Sequence, residues 1–515
     1  MSFIQFIGFN VDLQYILNLG TFLALNTFIE YQKTFKKRRS IMRAQSYVNG
    51  EWVSNGENTL SIVNPYTKEI IGEQIQATDE DIEKAIASSF AAKKEVAKIP
   101  THERARILKR AAELLDERKE EFAKLISQEL GKPLRFTLDE VTRSVETLEL
   151  SGEEAKRLIG ETIPGDVSTR GEKAIAATFR VPVGVVAAIT PFNAPLNLVA
   201  HKIGPAFAAG NSIIFKPATP TTLVATEFVK LLLDAGFPKN AVNMVLGRRD
   251  AVQQIVQDQR VNVISFTGGL VASQNIAKLA GIKKVLFELG GNAATVVHED
   301  ADVQRAAKMS ARTGYSNSGQ SCISVQRIYV HKSILDEFTK LFKQEVESLK
   351  VGDPLSLETD VGSMVDEANA KRIIEWVDEA VSMGAELLTG GKRNGAIVEP
   401  TVLINPPHES KVVCDEVFGP IVSIIPYETI EEAIEATNNS DFGLQAGIFT
   451  NQMDIAHKFA NELEMGGVVI NGTSNFRLDH WPYGGVKFSG IGREGPRFAI
   501  EDMTEMKMIV YQIVD

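Results

Sequence analysis

The chain has 515 residues, 44% of them hydrophobic, 7% aromatic and 23% charged, which are ordinary proportions for a globular protein able to bury more than one core. A formal net charge of −11 argues against nucleic acid or an anionic membrane surface as partner, and leaves any anionic substrate to be drawn by a few placed cations. Two cysteines, Cys322 and Cys414, and seven histidines without an HExxH pattern argue against a disulfide framework and a zinc site, so the expectation is a reducing, cytoplasmic setting and no metal.

Residues 1–41 read differently from the rest. An apolar stretch from Phe3 to Tyr31 is interrupted by Gln5, Asn10, Asp12, Gln14, Asn18 and Asn26, and Lys33, Lys36, Lys37, Arg38 and Arg39 follow it. One Asp at a bilayer centre costs about 3 kcal/mol, so a spanning helix is not favoured. Basic residues after the apolar run are also in the wrong order for a cleaved signal peptide. Three readings stay open: a peripheral amphipathic anchor, a weak membrane helix, or a start assigned too far upstream. The last is favoured, because Met42 stands just before Tyr47-Val-Asn-Gly-Glu-Trp52, which has the pattern of an opening hairpin.

Residues 46–75 are short strand-like pieces broken by Asn-Gly and Asn-Pro. The pattern turns helical at Asp79. Thr101-His-Glu-Arg104 resembles a capping box with Arg in place of Glu or Gln, and predicts one long amphipathic helix to about Leu130, with another over about 136–159. From Arg180 buried strands (183–189, 212–215, 242–246, 263–266) alternate with helices (197–209, 222–235, 271–279). A second such stretch covers about 293–471, with strands at 327–330, 422–426 and 467–470, and 508–514 reads as a final strand. The alternation predicts parallel βαβ units and open α/β sheets.

Several short segments could carry chemistry, and each has a plain structural reading beside it. Tyr315-Ser-Asn-Ser-Gly-Gln-Ser-Cys322 sets a cysteine after a polar turn in which Gly319 permits close backbone approach. A helix entry there would favour the thiolate; the alternative is a small buried hydrophobe, the reading that suits Cys414. Glu288, between Phe287 and Leu289 at a strand end, suits a half-buried general base or a surface carboxylate. Asn193 follows a strand through Thr190-Pro-Phe and is either an oxyanion donor or a turn former. Ser265-Phe-Thr-Gly-Gly269 joins strand to helix, where backbone amides could meet a phosphate, although no GxGxxG is present.

Taken in order, Asn193, Lys216-Pro217, Phe266-Thr-Gly268, Glu288-Leu-Gly-Gly291, Gly319-Gln-x-Cys322, Glu416-x-Phe-Gly-Pro420 and Pro482-Tyr-Gly-Gly-Val-Lys487 resemble the aldehyde dehydrogenase superfamily from about residue 46 to the C-terminus. The resemblance implies a cofactor domain of two segments, 46–162 and 183–289, and a catalytic domain over 290–490. It implies a β-strand arm and tail (163–182 and 491–515) for assembly as a homodimer or homotetramer, with residues 1–45 as an extension. It further implies NAD or NADP as cofactor, Cys322 as nucleophile, Glu288 as base, Asn193 as oxyanion donor, and Lys202 and Glu494 as a proton relay. The cofactor would be held by Ile189, Thr190, Pro191, Phe192, Lys216, Thr219, Gly247, Phe266, Thr267, Gly268, Gly269, Leu289, Glu416 and Phe418.

Two departures from the family pattern bear on the cofactor. Thr219 stands where many members carry a Glu that repels a 2′-phosphate, and Gly269 stands where many carry a Ser. For the substrate, Arg143, Arg477 and His480 fall in regions that line the tunnel of relatives, and Arg suits phosphate or sulfonate. A small anionic 2-hydroxyaldehyde of the sulfolactaldehyde, lactaldehyde or glyceraldehyde 3-phosphate type is expected. The alternatives are a CoA-acylating semialdehyde enzyme, a general aliphatic one, or arginines that merely pair with Asp479, Glu140 or Glu146.

Overall fold

Val185–Ile189 is buried at every residue, which suits it to the middle of a sheet covered on both faces. In the computed structural model, which describes residues 42–53 and 58–513, it takes that place. Ser212–Lys216 and Val242–Met244 lie parallel to it on one side, Val263–Thr267 and Lys284–Glu288 on the other. The chain thus works outward through two strands and then crosses back, creating a topological switch point between Val185–Ile189 and Val263–Thr267. Ligands of open α/β sheets bind at the carboxyl ends of strands at such points. Register gathers the expected residues on that rim: Ile189 lies opposite both Lys216 and Phe266, and Thr267 opposite Glu288.

The edges of this eight-stranded sheet are antiparallel. Tyr47–Val48 and Glu51–Trp52 form the expected hairpin, with Asn49 and Gly50 both at positive φ, as a two-residue Asn-Gly turn requires. Gly490–Ile491 pairs with Lys284–Glu288 at the other edge, so the C-terminal region also closes the sheet that carries Glu288. A second, seven-stranded sheet follows. Its strands Thr401–Ile404, Ile421–Tyr427, Arg327–His331, Ala294–Val297, Gln445–Phe449 and Gly467–Ile470 run parallel, with Glu386–Thr389 antiparallel at one edge.

Thr162–Pro164, Ala174–Pro182 and Thr504–Gln512 form a separate three-stranded sheet. Its side chains Phe179, Met506, Met508 and Tyr511 are exposed. Among the described residues no helix is long and apolar enough to cross a membrane. The segment 1–41, and the three readings of it, lie outside the described residues.

The helical N-terminal part departs from expectation in two places. Thr101 is not a cap. Pro100 holds the N-cap position without a side-chain hydrogen bond, its fixed φ turning the chain into the helix, and the true capping box is Thr78 with Asp81. The long helix is two, Thr101–Glu117 and Lys119–Leu130, broken at Arg118, whose guanidinium is tied to Glu121 and Glu227.

Candidate functional site

Asn193 lies four residues beyond Val185–Ile189, and its backbone is fixed from the neighbouring helix. Glu140, on Leu134–Ala155, accepts from the amides of Leu196 and Asn197 (2.9 and 3.3 Å) at the start of Asn197–Ala208. The other oxygen of Glu140 takes the buried Lys132 ammonium at 2.6 Å, and that ammonium also donates to the Asn193 carbonyl (3.2 Å). The Asn193 side-chain amide donates to the Gln320 carbonyl (3.1 Å), two residues before Cys322. An amide has two N–H groups, so one remains for an oxyanion.

The loop before Cys322 is wound unusually tightly. Asn317, Ser318 and Gly319 have φ of 50°, 55° and 69°, three left-handed residues in succession. A Cβ on Gly319 would come within 2.0 Å of the Gly419 carbonyl, so only glycine fits there. The strain of the other two, about 1 kcal/mol or more each, is held by hydrogen bonds from Ser318 to Gly362 (3.1 Å) and from Asn317 to Asn193 (3.2 Å). Cys322 then leads through a turn into Arg327–His331, and no helix begins there, contrary to expectation. Desolvation pushes its thiol up to about 12 rather than down, opposed chiefly by a hydrogen bond with the Tyr483 hydroxyl at 3.1 Å.

Cys322, Asn193, Arg143, Arg477, Asp479 and Tyr483 line one cavity of about 440 Å³. Asp479 organises its charge. It accepts two hydrogen bonds from Arg143 (2.9 and 2.7 Å) and one from Asn197 (3.1 Å), and lies 2.8 Å from His201 Nε2. Against burial, His201 and Arg143 hold its carboxyl far below the usual range. Arg477 reaches Glu494 at 3.2 Å and His201 at 3.0 Å, with Asp479 farther off at 3.6 Å.

Glu288, Lys202 and Glu494 do not line the cavity but connect to it through Arg477. Lys202 lies 3.5 Å from Glu494 and 3.2 Å from the Ser265 hydroxyl. Burial, and then the Glu494 charge, raise the Glu288 carboxyl well above its ordinary range. Burial would raise Glu494 too, but Lys202, His201 and Arg477 outweigh it and hold it low. Two neighbouring carboxyls thus keep opposite protonation preferences, as an acid–base site requires.

The rim of the first sheet suits a dinucleotide. Thr190 and Thr267 each bury a hydroxyl without a partner among the described residues. Lys216 is buried, and desolvation lowers it to about 8. Gly269 caps the helix Leu270–Ala280, and a Cβ there would meet nothing within 4 Å; the space lies open for a phosphate rather than being required by the protein. Phe266 and Gly269 line a cleft of about 750 Å³ with Arg249, a cation the sequence reading missed. Phe192 meets Phe418 edge-on at 5.8 Å, bringing the Thr190-Pro191-Phe192 turn against the second sheet. Glu416, raised to about 7 by burial, accepts from the Gly291 amide at 3.1 Å. Leu289 and Gly247 are buried behind this rim, Gly268 packs on the Phe266 ring, and Thr219 is exposed at the start of the turn Thr219–Thr221.

Three substrate expectations change. His480 is exposed, edge-on to Trp481, and is not in the cavity wall. Arg143 pairs with Asp479, across from its own helix, because Glu140 is already committed to Lys132 and the helix amides. Arg477 has Glu494 as its nearer acid. Cys414 is only half-buried, at the end of Lys411–Cys414, where Val412 and Val413 fill the core instead. Sequence reasoning overlooked Tyr483, although it quoted the segment, and gave no role to His201 beside Lys202.

The aldehyde dehydrogenase family model matches residues 52–509. A 3-sulfolactaldehyde dehydrogenase of Priestia aryabhattai is 46% identical over 468 residues, 91% of this chain and 98% of that protein. The crystal structure of aldehyde dehydrogenase 21 from Physcomitrella patens with the reaction product succinate superposes with a TM-score of 0.90 at 37% identity, covering 92% of this chain and 99% of that one. That of an NADP-dependent glyceraldehyde-3-phosphate dehydrogenase from Bacillus halodurans complexed with NADP gives 0.89 at 37%, covering 92% and 100%. With the switch-point rim and the cysteine cavity, these matches lead to one conclusion: the chain belongs to the aldehyde dehydrogenase family and is an NAD(P)-dependent oxidoreductase of aldehydes.

Proposed function

We propose that this enzyme oxidises a three-carbon 2-hydroxyaldehyde bearing a sulfonate or phosphate, through a thioester on Cys322. The observation that carries the reading is the sharing of one cavity wall by Arg143, Arg477, Asn193 and Cys322. The sulfonated substrate named for the Priestia relative, the dianionic succinate of the plant structure and the phosphorylated one named for the Bacillus enzyme support it. Arg143 is the arginine a ligand reaches: its side chain is 32% exposed, against 9% for Arg477. An anionic substrate would compete with Asp479 for that guanidinium.

The Cys322 thiol gives its proton to solvent water, and the thiolate attacks the aldehyde carbon, forming the C–S bond and moving the carbonyl electron pair onto oxygen. The free N–H of the Asn193 amide and the Cys322 backbone amide stabilise that oxyanion. Thr190, Lys216, Thr267, Gly269, Glu416 and Phe418 would hold NAD(P)+, which when bound supplies the hydride acceptor. Glu288 in its ionised form takes a proton from water, which adds to the thioester; the C–S bond breaks and carboxylate leaves. Lys202 and Glu494 relay the proton away. Thr219 offers no charge to repel a 2′-phosphate and Arg249 lies in the adjoining cleft, so NADP+ is accepted. The exposed apolar side chains of the arm sheet form the contact of a homodimer or homotetramer.

The test compares kcat/KM for sulfolactaldehyde, glyceraldehyde 3-phosphate, lactaldehyde and hexanal, with NAD+ and with NADP+, in wild type and Arg143→Ala. A selective loss of about 2–4 kcal/mol for the two charged substrates is expected. Hexanal as the best substrate, or an equal loss on all four, contradicts the proposal. Arg477→Ala is the less specific variant, since Arg477 also holds Glu494 and lies over Tyr483.

A further inference from the structure

A thiolate at Cys322 lacks the support such groups usually have. No helix begins there, and of the charged groups facing the sulfur, Glu416 and Glu288 oppose ionisation while Arg477 alone favours it. What the sulfur does have is a phenol: Tyr483 Oη stands 3.1 Å from Sγ, and Cys322 is the hydroxyl's only hydrogen-bond partner among the described residues. We propose that Tyr483 is a catalytic residue whose O–H donates to the Cys322 sulfur, selecting the thiolate before attack and stabilising it again as the leaving group. The inference rests on the reading of Cys322 as nucleophile.

Three features make the phenol a fixed donor. Its backbone is clamped to Glu494 by two hydrogen bonds, Tyr483 N–H to the Glu494 carbonyl (3.1 Å) and Glu494 N–H to the Tyr483 carbonyl (2.6 Å). Its ring carries the Arg477 guanidinium 3.8 Å from the centroid, and packs with Ile323 and Leu444. Burial keeps the phenol protonated to high pH, so in a proton-sharing pair with the thiol the proton stays on oxygen. During attack, charge leaves sulfur for the carbonyl oxygen and the hydrogen bond weakens. When the deacylating intermediate collapses, the C–S electron pair returns to sulfur and the O–H receives it. Tyr483 therefore acts in both halves of the reaction without itself losing a proton.

The experiment measures alkylation by iodoacetamide in the full-length protein, followed at Cys322 and Cys414 by peptide mass spectrometry, for wild type and Tyr483→Phe across pH. Phe keeps the ring, its packing and the cation above it, and a thermal melt checks that the fold is retained. At about pH 7.5 Cys322 of the variant should react about tenfold more slowly, its profile displaced to higher pH, while Cys414 is unchanged; charge-assisted hydrogen bonds have this worth. Wild-type alkylation of Cys322 in a folded Tyr483→Phe overturns the proposal. Failure of the parent reading looks different: Cys322→Ser would retain turnover, whatever the alkylation profiles show.

Discussion

Glu288 sets the pH behaviour of the proposed site. A carboxyl raised by burial and by Glu494 keeps its proton to higher pH than an exposed one, so the base form grows as pH rises. Hydrolysis of the thioester should therefore accelerate as pH rises above the ordinary carboxylate range in wild type. Glu288→Gln should lose that rise and deacylate about 10²–10⁴-fold more slowly. A steady-state rate for hydrolysis that is flat above that range contradicts the assignment. Stability gives the control. In the unfolded chain Glu288 ionises near about 4.3 while the native group stays protonated, so above that pH the native carboxyl subtracts from stability. Glu288→Gln should accordingly melt no lower than wild type at neutral pH.

At this scale the sequence was informative about identity and poor about environment. Glu288, Cys322 and Asn193 stood out only together, through an order of motifs that resembles the aldehyde dehydrogenase family; each alone had a plain structural reading. The direction of the Cys322 shift did not, since it is set by burial in the folded chain, with Tyr483 opposing it and Glu416 adding to it from 161 and 94 residues away. Nor did Asp479, whose four partners, Arg143, Asn197, His201 and Arg477, come from three separate segments.

Among elements, the strands were the most legible, because apolar β-branched runs such as Val185–Ile189 have no alternative to burial. The break at Arg118 was illegible: the amphipathic pattern continues through it, and the pairing of Arg118 with Glu227 on another helix leaves no local signal. The arm sheet carries the prediction proper to this scale. Thr504–Gln512 exposes Met506 at 64% and Met508 at 60%, apolar surface on one strand that suits the proposed subunit contact. Met508→Glu should shift the protein toward monomer in analytical ultracentrifugation, while the subunit's far-UV circular dichroism stays as in wild type. An unchanged oligomer, or a wild type that is itself monomeric, shows that this sheet is not the contact.

For the molecule as a whole, the two sheets divide the labour. The switch point of the first offers a rim for a dinucleotide and carries Glu288 and the turn to Asn193; the second, with the loop before it, delivers Cys322 and Glu416. On the function proposed above, these parts make and then hydrolyse a thioester on Cys322. The most direct test is a single turnover of Glu288→Gln with sulfolactaldehyde and NADP+, quenched in acid and analysed by peptide mass spectrometry. One equivalent of NADPH per active site should be released in a burst, with the sulfolactyl group on the peptide containing Cys322. Full steady-state turnover in this variant, or a burst of NADPH with Cys322 unmodified, would contradict it.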